Sequence, residues 1–254
     1  MPTILVLKLL LVPSLIGAVT LAGRRWGATI AGWLSAFPIV AGPILFFIAM
    51  ERGVDFARSA SEGTLAAVIA ILVFGLAYSW AATRLRWHLC LLCGFFAYAV
   101  AVSALTGWIP PLALLFALVV TALYFSPALF PVTPDTGKPP RAGNFDLPMR
   151  MGTGALLVLS VTYFAAALGP RLSGLFAMFP VMGTVLVVFS HRSAGHGFAI
   201  HLLRGMVYGW YSFATFCVVL NLSLVPLGIA GSFPLALAAA VIVQIVSRRL
   251  LQKK

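Results

Sequence analysis

Acidic residues are nearly missing from this chain, with five Asp and Glu against 17 Lys and Arg in 254 residues. Charged residues make up only 9%, and 62% of positions are hydrophobic; a soluble domain of this size would lack the polar surface to stay dispersed. The same scarcity thins out enzyme chemistry. Glu51, Asp55, Glu62, Asp135 and Asp146 all lie in loops or at the edges of apolar runs. There is no Gly-rich phosphate loop, no His-Glu-x-x-His motif and no nucleophile elbow. We therefore expect neither enzymatic activity nor a cofactor.

Cysteine is also scarce. Cys90, Cys93 and Cys217 lie inside apolar runs, and Cys90-x-x-Cys93 has no second pair or histidine-rich partner to complete a metal or redox site. His191, His196 and His201 are spaced by five, whereas helical metal ligands share a face at i and i+4. No metal is expected. The formal charge of +12 comes from basic residues standing singly or in pairs between apolar runs, as in the loops of membrane proteins. That distribution excludes nucleic acid as a partner.

What is abundant is apolar sequence in lengths that cross a bilayer. Nine spans are predicted, at roughly 4–22, 28–50, 63–82, 88–106, 111–131, 149–168, 172–190, 198–222 and 226–247. The first runs apolar from Ile4 to Leu21 without a basic leader or a small-residue cleavage pattern, so it reads as a retained span. Gly107-Trp108-Ile109-Pro110-Pro111 divides 88–131 into two. With nine spans, Lys8, Arg52, Arg58 and Arg171 fall on one side and the other 13 of the 17 basic residues on the opposite side. By the positive-inside rule, the N-terminus is then outside and the C-terminus cytoplasmic. Val132 to Leu147, rich in Pro, Gly and charge, reads as a cytoplasmic linker.

Two stretches 142 residues apart carry related strings. Gly32-Trp33-Leu34-Ser35-Ala36-Phe37-Pro38 is echoed by Gly174-Leu175-Phe176-Ala177-Met178-Phe179-Pro180, each followed by a glycine at the same distance, Gly53 and Gly195. Sliding the halves by 142 aligns Lys8–Gly63 with Arg150–Gly205 without a gap, and 12 of the 56 pairs are identical. Several identities shape the backbone: Gly27/Gly169, Gly32/Gly174, Pro38/Pro180, Gly53/Gly195 and Gly63/Gly205. A cation, Lys8 or Arg150, heads each copy. Equivalent spans are five apart, so they cross in opposite directions. This predicts an all-α polytopic membrane protein with a single membrane domain: repeat one at 4–106, a connector helix at 111–131 and repeat two at 149–247. Inverted repeats of this kind recur among transporters.

Lys8, the Ala31-Gly32-Trp33-Leu34-Ser35-Ala36-Phe37-Pro38 segment and the Glu51-Arg52-Gly53-Val54-Asp55-Phe56-Ala57-Arg58 loop resemble features of GlpM, a family of small bacterial inner-membrane proteins about half this length. The resemblance covers roughly residues 4–106. The second half departs from it, with His191-Arg192-Ser193-Ala194-Gly195 where the first has Ala49-Met50-Glu51-Arg52-Gly53. The family has a suggested link to alginate production. The resemblance implies a bacterial inner-membrane location more than an activity.

The candidate site follows from the paired interruptions. A proline inside a helix removes a backbone donor and clashes with the preceding turn, and in lipid the freed groups must be satisfied by protein or a wet cavity. Either proline alone fits a packing kink; two related ones favour a substrate site at Phe37, Pro38, Phe179 and Pro180. Span 8 adds a polar stripe. At about 100° per residue, His201, Arg204, Tyr208, Tyr211, Ser212 and Thr215 share one side. Of these, His201, Arg204, Tyr208 and Ser212 are the expected substrate contacts, although Arg204 is also placed to snorkel. Glu62 is the candidate coupling carboxylate and Lys8 its candidate partner, against the simpler readings of a solvated cap acid and a snorkelling lysine. The expected function is alternating-access transport of a small anionic or polar solute. The alternatives are a non-transporting membrane component of envelope polysaccharide synthesis and a lipid-phosphate handling protein. Expected partners are the lipid bilayer and a small solute or lipid-linked anion, with a homodimer left open.

Overall fold

Proline, glycine and long apolar runs together set where helices start and stop here. The computed structural model describes residues 2–38, 40–107, 110–133, 145–167 and 180–252, and among them it shows nine helices and no strand. These are α1 (Pro2–Trp26), α2 (Ala28–Ser35), α3 (Ala41–Arg52), α4 (Val54–Ala82), α5 (Trp87–Thr106), α6 (Leu112–Leu129), α7 (Asp146–Ala167), α8 (Val181–Ala194) and α9 (His196–Gln252). Five of them, α1, α4, α5, α6 and α9, are long and apolar enough to cross a membrane. Large apolar side chains line the outside of the bundle, among them Leu92, Phe96, Tyr124, Phe125, Ile242 and Ile245. So much exposed apolar surface is foreign to soluble monomers, and its natural solvent is lipid.

α9 is not one rod. Gly228 is non-helical, with φ 63° and ψ −174°. Ser212 Oγ donates to the Ala240 carbonyl at 2.9 Å, whereas 28 residues of straight helix would hold those groups about 42 Å apart. The arms 196–227 and 229–252 therefore fold back as a hairpin, agreeing with two predicted spans, 198–222 and 226–247.

The first arm and α4 form the centre of the bundle. α2 lies against the first arm with almost no side chain between: a Cβ at Gly32 would strike the Leu202 carbonyl oxygen, one at Gly205 the Thr29 oxygen, and one at Gly209 the Trp33 oxygen. Gly205-x-x-x-Gly209 is thus a small-residue seam of the kind that lets membrane helices approach backbone to backbone.

Predicted span 2, 28–50, is in fact two helices. α2 ends at Ser35, residues after it turn through Pro38, and α3 starts at Ala41. The expected loop before span 3 is largely helical, because α4 begins at Val54 with Asp55 in its first turn, where an acid suits the helix dipole. The linker keeps its expected length but lies two residues earlier, since α6 ends at Leu129 and α7 starts at Asp146.

Gly53 and Gly195 carry the same local geometry. Their φ/ψ angles are 86°/174° and 90°/173°, a region essentially reserved for glycine. Each donates to the carbonyl four residues back, Ala49 or His191, at 3.0 Å, and each carbonyl accepts from four residues ahead, Ala57 at 3.2 Å or Ala199 at 3.4 Å. At the prolines the match continues, with Gly42 N–H donating to Pro38 O at 2.9 Å and Thr184 N–H to Pro180 O at 2.8 Å.

Candidate functional site

Ending a helix in an apolar bundle leaves its last carbonyls without partners. At the end of α2, Gly32 O accepts from Ser35 Oγ at 2.7 Å and Trp33 O accepts from Gln244 Nε2 at 2.9 Å. The Trp33 indole N–H donates to Ser247 Oγ at 2.9 Å. Gln244 and Ser247 are both buried, so the second arm of α9 supplies polar groups where the helix break needs them. Across the break, Gly42 faces Phe216 of the first arm.

The second interruption is described from Pro180 onward. Buried Pro180 is the N-cap of α8, and Phe179 lies outside the described residues. The other end of α8 carries the densest polar cluster among the described residues. Arg150 is 1% exposed and is the largest fully buried side chain. Its Nε donates to Asp146 Oδ2 at 2.8 Å, Nη1 to Ser190 Oγ at 3.4 Å and Nη2 to Ser193 Oγ at 3.1 Å, and its guanidinium lies 5.3 Å from the Phe189 ring centre. Arg24 Nη2 reaches the same Asp146 oxygen at 2.9 Å. A guanidinium at the last turn of α8 is favourably placed against the negative end of that helix. From the other side, Tyr78 Oη and His191 Nδ1 are 2.9 Å apart. Burial, with His196 adding repulsion, pushes the His191 pKa down from its ordinary value.

Among the described residues, the predicted ones are spread over several contacts. Phe37 is half-buried against the core and Pro38 is buried. Tyr208 is buried. Ser212 is used in joining the two arms of α9, and Thr215 Oγ1 bonds Tyr211 O at 2.9 Å. His201 Nε2 is 3.5 Å from Thr133 Oγ1, at the limit of a hydrogen bond. Arg204 is half-buried and, among the described residues, no carboxylate forms an ion pair with it. Glu62 sits within α4 rather than in a loop, and its Oε1 accepts from Asn221 Nδ2 at 3.2 Å. The same amide nitrogen is 3.0 Å from Ser61 Oγ and 3.0 Å from Arg58 O. The expected Glu62–Lys8 pairing lies outside the described side chains, since only the backbone of Lys8 is described, within α1. What the fold does bring together is the Pro38 break and the Tyr208–Ser212 stretch of the first arm, across the Gly209 contact with Trp33.

Sequence reading passed over Arg150, Asp146, Ser190, Ser193, Asn221 and Gln244 as site residues. For the first two a signal existed: Asp146 and Arg150 stand at i and i+4 at a helix start, where such a pair shares a face. Comparison of the chain with protein-family models, curated proteins and solved structures finds no match.

Proposed function

We propose that this protein is a bacterial inner-membrane transporter of a small anionic or polar solute. It works by alternating access between two inverted four-helix repeats joined by a connector helix. The observation that carries this reading is the pair of helix boundaries at Pro38 and Pro180, 142 residues apart, followed by matching backbone hydrogen bonds and by the same glycine geometry at Gly53 and Gly195. Interrupted helices in corresponding positions of two halves are where transporter folds place their solute. Buried polar groups gathered at the first break, Gln244, Ser247 and the Trp33 carbonyl, support a site there. The bacterial inner-membrane location rests on the resemblance of residues 4–106, and the orientation with the N-terminus outside rests on the distribution of Lys and Arg.

Uptake of anionic and polar solutes into liposomes carrying the purified protein, with and without a pH gradient, tests this reading. We expect flux that falls at least tenfold in Gln244→Leu. Absence of flux across a broad solute panel would overturn it.

The tightness of the packing favours a second reading, a non-transporting component of an envelope polysaccharide assembly that acts by binding partners. The pocket beside Arg150 has a water-accessible volume of only about 10 Å³, room for a single water rather than a solute. Stoichiometric co-purification of one partner, together with full function of Gln244→Leu in cells, would select this reading.

A further inference from the structure

We propose that the pocket enclosed by α1, α2, α7, α8 and the start of α9 is a binding site for a small monovalent inorganic anion of halide size. Thr20, Gly23, Arg150, Leu186, Ser190 and Phe198 are among its walls.

The argument is one of unmatched donors. A guanidinium has five N–H groups and no acceptor. Arg150 directs one to Asp146, one to Ser190 and one to Ser193, which leaves two. Thr20 is 5% exposed and its hydroxyl has no hydrogen-bond partner. Hydroxyls on apolar helices ordinarily donate to the carbonyl one turn back, as Ser14, Ser160, Thr215 and Ser223 do here. Thr20 does not. Ser190 receives its bond from Arg150, so its own proton is still available to a ligand. Buried polar groups without partners cost free energy, and a ligand that accepts from them removes that cost.

Charge points the same way. Two guanidiniums, Arg24 and Arg150, share one carboxylate oxygen of Asp146, which leaves one positive charge in excess in an apolar setting. Low surrounding polarity strengthens its attraction for an anion. A cation would face the buried Arg150 charge, which repels it. Size then selects among anions: about 10 Å³ of water-accessible space admits one water-sized sphere and excludes phosphate, sulfate and organic carboxylates. The inference stands on donors, charge and volume, and does not depend on the transport reading.

Thermal unfolding of the full-length protein in detergent, in sodium gluconate against sodium chloride or bromide at equal ionic strength, tests it. Chloride and bromide are expected to raise the midpoint saturably, by about 3 °C or more, while sulfate and gluconate do not. Thr20→Val and Ser190→Ala keep every charge and are expected to weaken the halide response about tenfold each. Arg25→Gln, which removes an exposed cation outside the cluster, is expected to leave it unchanged. Equal midpoints in chloride and gluconate would overturn the proposal and leave water as the occupant. So would a halide response of undiminished affinity in the Thr20→Val/Ser190→Ala double variant, which would place the ion elsewhere. Loss of solute flux with the halide response intact would count against transport alone.

Discussion

Of three glycine junctions of one backbone design, at Gly27, Gly53 and Gly195, the two that lie 142 residues apart, Gly53 between α3 and α4 and Gly195 between α8 and α9, are surrounded differently. Before Gly53 stands Arg52, exposed, with its guanidinium 5.7 Å from the Phe56 ring centre. Before Gly195 stand Ser190, His191 and Ser193, gripped by buried Arg150 and by Tyr78. A glycine at φ near +90° determines where the chain can turn and asks nothing of its neighbours. Side chains around such a turn can therefore form a polar cluster at one junction and none at the other. The segment His191 to Gly195, where the two halves of the sequence differ most in polarity from Ala49 to Gly53, is part of this cluster.

The contrast is broken most severely at the cations. Arg150→Ala removes three hydrogen bonds and the largest fully buried side chain, and is expected to destabilise by about 3 kcal/mol or more, whereas Arg52→Ala is expected to cost less than about 1 kcal/mol. Denaturant unfolding of the two variants in detergent checks the gap, and equal losses would erase the distinction between the junctions. The shared backbone is tested next. Gly53→Ala and Gly195→Ala place a Cβ where the backbone geometry is reserved for glycine, so each is expected to cost about 1–3 kcal/mol. Similar values sharpen the equivalence; a difference above about 1 kcal/mol breaks it.

Smaller effects come from the grip on His191. Tyr78→Phe removes one hydrogen bond, and a loss of about 0.5–1.5 kcal/mol is expected. The His191 pKa lies below its ordinary value of about 6.5, so the unfolded chain takes up a proton first as pH falls. Stability from this group is complete above that ordinary value, declines below it, and levels off once pH is under the folded-state pKa. Melting curves at pH 7.5 and 5.0 should show this decline in the wild type and a shallower one in His191→Gln.

Much of the helical layout was legible in the apolar runs: α5 and α6 lie close to predicted spans 88–106 and 111–131, and the last two spans are indeed separate arms, although the bend is at Gly228, inside predicted span 226–247 and past the expected gap at 223–225. The break at Pro38 was legible because proline and its neighbours act locally. The Arg150 cluster was not, since Arg24 and Asp146 are 122 residues apart and Arg150 and Ser193 are 43 apart; no local period encodes such meetings. Polar content misled at 54–62, where Asp55, Ser59 and Glu62 suggested a loop. The helix carries them because Ser59 and Ser61 bond their own backbone and Asn221 meets Glu62. The stripe on the first arm of α9 was correctly periodic, but periodicity alone could not tell a cavity wall from a seam against α2 and the second arm.

The hairpin at Gly228 returns the chain to the end of the bundle where α9 began. Arg248 and Arg249 therefore come level with Arg204, near the rim that also bears Arg25 and Arg192. Exposed guanidiniums at that end, Arg248 and Arg249 among them, set up a positive field that would gather phosphate headgroups or dissolved anions and fade as added salt shortens its reach.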